Sequence, residues 1–563
     1  MKLVSGDKIR EYANKISISP IMIIGICVFF AVFLSTAIFI IEDKKPQAWD
    51  QALHMTCSFL YYQLTRAFNF GDFVKVSNYY PPFFHLCSVP LYFLFGFSED
   101  VAIATNLIFY AVLVFSVFKI GEHFGDKETG ILAAILVSFY PLLLILQREY
   151  MLDFALTAMC ALALLLLLKS DCFRKPLITA LFGITFGLCE LTKWSAFVFI
   201  LPAIFAIFMI EFGKIRSVCA QCGKKLGEKI FVEGLYRFCS KRCAKIFAEN
   251  PRPIVSIISS TQITNIIIAL ALAIVVLGWW YIPNWEEVSI RLKYFSTIRG
   301  VSERDPTIFT LEGWLYYIKA LDVSMGLLFF VLALFSLIFL LQRKDKRAVF
   351  FFISVIIPYL ILTAMSNKGD RYILPVLPVL AVSTAIFLRE LPHAFRRVEG
   401  KKLQRFLMAV ILFVGMMQLL TVTVGFPKIE NSLLYPKPVA PDTADWKIDE
   451  LLSAINQNGG GAVVVLPDHP YLNGQSLNFY RLKNGYNFPV FNGVYIGYET
   501  VKANFDRIKY FVLIEPREHG SEVFGGEEAR LYQLFYERQR NFERIAQFSL
   551  PDNTSLLLYE RKE

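Results

Sequence analysis

The stretch Ser19–Ile41, SPIMIIGICVFFAVFLSTAIFII, carries no charged residue over 23 positions. At a helical rise of 1.5 Å per residue it reaches roughly 34 Å, enough to cross a hydrocarbon core of about 30 Å. It is longer than the core of a signal peptide, and Glu42-Asp43-Lys44-Lys45 follows it where a cleavage site would need small residues. It is therefore read as a retained transmembrane helix. The same pattern recurs along the chain near 98–119, 129–147, 151–169, 176–193, 195–212, 258–281, 323–342, 347–365, 373–389 and 405–426. The expectation is a polytopic α-helical membrane protein of about eleven spans.

Composition agrees. Of 563 residues, 55% are hydrophobic and 18% charged, against about 25% charged in soluble domains, and the mean hydropathy is +0.49. A net charge of +10 raises the question of nucleic acid. The cations instead fall in short clusters between apolar blocks, where they act as topology signals, and nucleic acid is excluded as a partner. The clusters are Lys2/Lys8/Arg10/Lys15, Lys169/Arg174/Lys175, the segment Lys214–Arg252, Arg343/Lys344/Lys346/Arg347, and Arg396/Arg397/Lys401/Lys402/Arg405. All fall on one side under the eleven-span count, and that side is the cytoplasm. The N-terminus is then cytoplasmic, and the protein belongs in the inner or plasma membrane. Segments 42–97, 148–150, 282–322 and 366–372 lie outside, with everything after about 427. Within 42–97 the stretches Ala52–Phe68 and Pro82–Phe97 read as interfacial helices.

Four regions follow: an N-terminal membrane half, 1–212, with its outer loop 42–97; a cytoplasmic module, 213–255; a C-terminal membrane half, 256–426; and an outer α/β domain, 435–563. The last is predicted from strands at Ala462–Leu466, Tyr510–Ile514 and Ser555–Tyr559, with a helix at Glu527–Arg540.

The cytoplasmic module contains Cys219, Cys222, Cys239 and Cys243, in the pattern C-x2-C-x16-C-x3-C. Two close cysteine pairs separated by a hairpin-sized insert bring soft thiolates within tetrahedral reach of one Zn²⁺. A reducing cytoplasm makes disulfides the weaker alternative. Four thiolates would close the coordination sphere, so the metal is structural rather than catalytic. The stretch YRFCSKRCAKIF resembles the treble-clef-like zinc modules of the TRASH and YHS type.

Ionisable groups near membrane depth are costly and tend to face a cavity. Here they cluster at the outer ends of spans: Asp50 in PQAWDQALH, the segment NYYPPFFH with Tyr80, Pro81 and Pro82, Arg148, Glu149 and Asp153 in QREYMLD, Glu190 and Lys193 in CELTKW, and Lys368, Asp370, Arg371 and Tyr372 in NKGDRYILPVLP. Each has an ordinary alternative, such as a helix cap for Asp50 or a headgroup anchor for Arg148 and Lys193. Their convergence on one side is the argument for function.

At these same residues the chain resembles the bacterial protein-mannosyltransferase-like superfamily, of glycosyltransferase family 39/83 type. That superfamily belongs to the GT-C class of membrane glycosyltransferases and includes the aminoarabinose transferases of lipid A. The resemblance implies transfer of a sugar from a polyprenyl-phosphate-linked donor to an extracytoplasmic acceptor, a protein hydroxyl, glycolipid or polymer. Asp50 matches the family's acidic residue near the acceptor, where a carboxylate takes the proton of the attacking hydroxyl. Arg148, Lys193 and Arg371 would then meet the departing phosphate, Asp153 would orient a cation, and Tyr80-Pro81-Pro82 would shape the lipid entry groove. The chain departs from its relatives in having Gln51 after Asp50, where many carry Asp-Glu, and Tyr80 before Pro-Pro, where many carry Lys. The first departure leaves a divalent cation at the catalytic site open.

The competing class is a transporter of a lipid-linked or anionic substrate, which should show inverted repeats and helices broken at mid-membrane. A sensor built around the cysteines would leave the outer charges unexplained.

Overall fold

A computed structural model describes residues 19–215, 219–226, 230–233, 236–249, 259–343, 345–394, 397–428, 438–516 and 525–562. The cations Lys2, Lys8, Arg10, Lys15, Lys344 and Arg396 lie outside these. The protein is a helical membrane bundle. Among the described residues, seven helices are long and apolar enough to cross a bilayer, or eight if a bent pair counts as one span. They include Pro20–Glu42, Glu99–Phe124, Leu152–Lys169 and Arg347–Ala364. Shorter apolar helices occupy Pro176–Thr192 and Phe197–Gly213.

Three of the expected spans differ in form. The segment 129–147 is not one helix but two, Lys127–Ser138 and Pro141–Leu146. Proline disfavours helical backbone in the residue before it, and Tyr140 is extended. The span expected at 258–281 runs on to Thr297, a helix of 38 residues. The span 323–342 starts at a bend of 119° between Leu311–Met325 and Leu327–Gln342, so residues 323–325 end the preceding helix instead of opening the span. Helices form at both stretches expected to be interfacial, Trp49–Arg66 and Phe83–Phe95.

Close packing sets where helix ends lie. A Cβ on Gly183 would stand 2.3 Å from the Ala269 carbonyl oxygen, and one on Gly187 2.9 Å from Val276. The two glycines, four residues apart, thus let Pro176–Thr192 lie directly against Ser260–Thr297, as small residues do in membrane helix pairs. That contact carries Lys193 and Trp194, at the end of one helix, toward Phe295, near the end of the other.

The C-terminal domain has a five-stranded sheet in the order β4 (Val490–Asn492), β3 (Val463–Val465), β5 (Tyr510–Glu515), β7 (Ser555–Arg561), β6 (Phe542–Ser549). The β3 strand is parallel to both neighbours, while β7 is antiparallel to β5 and β6. Apolar residues fill both faces, Leu451, Val465 and Leu558 on one, Leu513, Phe535 and Phe511 on the other. The domain rests on the segment that follows the first membrane helix. Trp49 Nε1 donates to Asp468 at 3.0 Å, the Gln47 amide to Tyr480 Oη at 3.3 Å, and Ser476 Oγ to the Gln47 carbonyl at 2.8 Å.

Candidate functional site

Helix Trp49–Arg66 begins immediately after this anchored stretch, so Asp50 stands in its first turn, where a carboxylate suits the helix N-terminus. Three further segments bring charge to it. Arg371 Nη2 donates to Asp50 Oδ2 at 2.9 Å, and its Nε lies 3.5 Å from Asp153 Oδ2. Lys193 Nζ donates to Asp153 Oδ1 at 2.6 Å and sits 4.9 Å from the centre of the Tyr372 ring. Asp153 is 3% exposed, while Asp50 and Arg371 keep 40% and 36% of their side-chain surface. The result is an alternating chain of charges, Asp50, Arg371, Asp153, Lys193, buried at one end and open at the other.

These residues line a cavity of about 80 Å³, together with His54, Tyr79, Tyr80, Trp194, Phe295, Arg299, Asn367 and Tyr372. Asn367 donates to Tyr372 Oη at 3.2 Å. Its walls are aromatic on one side, where Tyr79 stacks on Phe295 with ring centres 5.4 Å apart, and ionic on the other.

Five of the expected site residues therefore meet in one place and a sixth, Tyr372, joins them. Pro81 and Pro82 are not cavity residues; they deliver the chain into helix Phe83–Phe95, capped by Pro82. Arg148 is not brought to the cavity. Its guanidinium donates to the Val422 carbonyl and, at 2.7 Å, to Thr423 Oγ1, and lies 4.4 Å over the Phe39 ring. An arginine facing orphan carbonyls at a helix end satisfies them, so Arg148 ties the last membrane helix to the first. Arg148→Met is expected to lower the melting temperature, by about 1–3 kcal/mol of stability. A loss of donor affinity at unchanged stability would instead return it to the phosphate site. Lys368 is likewise structural: its ammonium donates to the carbonyls of Leu362, Thr363 and Met365 and closes the end of helix Arg347–Ala364. Burial raises the Glu149 carboxyl above its ordinary range, against the pull of Lys45 and Arg371.

Sequence reasoning missed His54, Phe295 and Arg299. The signal for His54 was its place four residues after Asp50, on the same helix face. For Arg299 it was the Glu287–Arg291 pairing that continues the helix past the membrane. Gly300 then seats the segment: a Cβ there would stand 2.0 Å from the Ser366 carbonyl oxygen, so only glycine lets Arg299 reach the 366–372 loop.

The cysteine module lies at the other end of the bundle. Helix Phe197–Ile215 starts beside the cavity and leads away to Cys219, and helix Ser260–Thr297 returns. Within the module, β1 (Phe231–Glu233) and β2 (Tyr236–Phe238) form an antiparallel hairpin followed by helix Lys241–Glu249. The Sγ atoms of Cys219, Cys222, Cys239 and Cys243 all lie within 4.8 Å of one another, with Cys222–Cys239 at 3.5 Å and Cys239–Cys243 at 3.7 Å. Tetrahedral Zn–S bonds of about 2.3 Å place sulfurs roughly 3.8 Å apart, so the donor set fits a metal of that size.

The family described as dolichyl-phosphate-mannose-protein mannosyltransferase matches residues 80–228, a stretch that includes Tyr80, Asp153 and Lys193. Among solved structures, ArnT from Cupriavidus metallidurans in the apo state is similar, with a TM-score of 0.53 at 13% identity over 95% of this chain and 97% of that one. The same protein bound to undecaprenyl phosphate gives 0.53 at 12% identity, with the same coverage of both chains. No curated protein matches by sequence. At such identities the likeness is one of fold. The chain thus shares its fold with ArnT.

Proposed function

We propose that the protein moves a sugar from a polyprenyl-phosphate-linked donor to an acceptor on the outer side of the cell membrane. The observation that carries this reading is the meeting of Asp50, Asp153, Lys193 and Arg371, from four distant segments, in one cavity at a single end of the bundle. The acceptor oxygen attacks the anomeric carbon as the bond from that carbon to the phosphate oxygen breaks. Asp50, the exposed end of the charge chain, takes the acceptor proton. The polyprenyl phosphate leaves with the electron pair, and Lys193, Arg371 and Arg299 meet its charge. Asp153 is a positioning residue, holding two of these cations within reach of its two oxygens. Because phosphate is already a good leaving group, no strong general acid is required.

Asp50 and Asp153 are bridged by Arg371, and Gln51 offers no second carboxylate beside Asp50. Such a donor set favours charge balance by the protein's own cations over a divalent ion. The cationic clusters near Lys169 and Arg343 lie at the end away from the cavity, which supports placing that end, with the cysteine module, in the cytoplasm. The module holds Zn²⁺ as a fold-completing ion. Cys219→Ser is expected to remove the zinc found by elemental analysis of the purified protein; unchanged zinc content would refute the site.

The function is tested by incubating purified protein with polyprenyl phosphates bearing mannose, glucose or aminoarabinose and following release of polyprenyl phosphate. Turnover of one donor supports the reading. Donor movement across vesicles without turnover would replace it with transport.

A further inference from the structure

Below Asp50, on the cavity side of helix Trp49–Arg66, His54 is 2% exposed and His85 fully buried. Their rings are joined, His54 Nδ1 to His85 Nε2 at 3.1 Å. His54 lines the cavity, and with Nδ1 engaged, Nε2 is the ring nitrogen left to face it. Among the described residues, His85 Nδ1 is buried without a hydrogen-bond partner.

That orphan atom decides the proton count. A neutral imidazole has one N–H. If His54 donated to His85, the His85 proton would sit on Nδ1 as a buried N–H with nothing to receive it. If His85 Nε2–H donates instead, only a lone pair is left unused, the lesser loss by the usual scarcity of orphaned buried donors. His54 then carries its proton on Nε2, aimed into the cavity. His54 lies in the outer loop, and burial, followed by the charges of Arg371 and Lys193, pulls it down to about 3. The ring is neutral across physiological pH.

A neutral donor is redundant beside cations that already serve a phosphate. It is suited to an uncharged oxygen. Its surroundings agree: Tyr80 packs edge-on against His54 with ring centres 4.4 Å apart, and Tyr79 and Phe295 continue the apolar wall. Aromatic faces take the C–H side of a sugar ring while a single N–H fixes one hydroxyl. Resting on the transferase reading above, we infer that the cavity is divided, and that His54, its tautomer set by His85, donates a hydrogen bond to a hydroxyl of the donor's sugar.

The test compares two ligands on the full-length protein in detergent, bare polyprenyl phosphate and polyprenyl phosphate bearing the sugar that is turned over, or mannose if none is. Wild type should bind the sugar-bearing lipid more tightly. His54→Asn keeps an amide near the Nδ1 position and loses the Nε2 donor, and should reduce that preference about tenfold. His54→Gln, whose amide reaches the Nε2 position, should restore most of it. Lys193→Ala should weaken both ligands alike. If His54→Asn does not fold, Tyr80→Leu serves in its place, since it removes the ring that holds His54 and should lose the same preference. Wild-type transfer with an unchanged preference in the variant would overturn the sugar subsite and leave the transferase standing. Preference lost in the variant, with no transfer by wild type, would uphold the subsite and overturn the transferase. Binding of neither ligand by wild type would overturn both.

Discussion

Asp50→Ala is expected to lower sugar transfer by about 10²–10⁴-fold, the usual contribution of a positioned general base, while the protein remains folded. The second half of that expectation comes from exposure. The Asp50–Arg371 contact of 2.9 Å joins side chains that are 40% and 36% exposed, and pairs so open to water contribute little stability. Arg371 also retains Asp153 as a partner when Asp50 is gone. Asp50→Asn separates charge from shape: it keeps an oxygen near Arg371 but does not accept the acceptor proton, so it should be about as inactive as alanine. Transfer rates and melting temperatures for both variants, measured on the same preparation, decide the matter. A rate within tenfold of wild type in either would remove Asp50 from the role of base.

Asp153→Ala should act in the opposite order, on stability first. Its carboxylate is 3% exposed and stands between two cations, 2.6 Å from Lys193 and 3.5 Å from Arg371. Removing it leaves Lys193, itself 15% exposed, beside a second positive charge with nothing between them. Breaking a buried pair by deleting one partner costs about 3–5 kcal/mol, a large share of the stability of any domain. A sharp fall in melting temperature, or in the yield of folded protein, is the expected result. Substrate can reveal the cause: polyprenyl phosphate brings negative charge to the same cations and should raise the melting temperature of the variant more than that of wild type. An unchanged melting temperature would mean that Asp153 does not hold the cations in place.

The helical membrane bundle was legible because hydropathy reports on the solvent around each segment, although the count of eleven spans is not matched by the seven or eight long apolar helices among the described residues. The C-terminal sheet was legible in the short apolar strands beyond the last membrane helix. Where the reading failed, it failed on backbone geometry inside apolar sequence. Residues 129–147 are continuously hydrophobic, so a hydropathy window passes over the break at Tyr140-Pro141, although proline itself marks it. The helix that begins at Ser260 leaves the membrane without a signal to stop, because leaving apolar solvent is not a reason for a helix to end. The polar residues from Glu286 to Lys293 read as loop in the sequence, and that reading hides the arrival of Phe295 and Arg299 at the cavity.

Within the site, the residues gathered from sequence were those whose charge is anomalous for their depth, and Asp153, Lys193 and Arg371 meet as their chemistry demands. Arg148 has the same anomaly and is satisfied by the carbonyl of Val422 and the hydroxyl of Thr423. Charge at membrane depth identifies a group that needs a partner. It does not say whether that partner is a ligand or the end of a helix.

The sheet order of the C-terminal domain bears on when this protein begins to work. The strand latest in sequence, Ser555–Arg561, is inserted between Tyr510–Glu515 and Phe542–Ser549 rather than added at an edge. The domain therefore cannot close until translation has passed Arg561. Its docking partners, Gln47 and Trp49, were made hundreds of residues earlier and lie just ahead of Asp50. During synthesis Asp50 waits on a loop whose clamp does not yet exist. The loop that carries Asp50 gains its clamp only after the last strand of the sheet has been made and the domain has folded back upon the start of the chain.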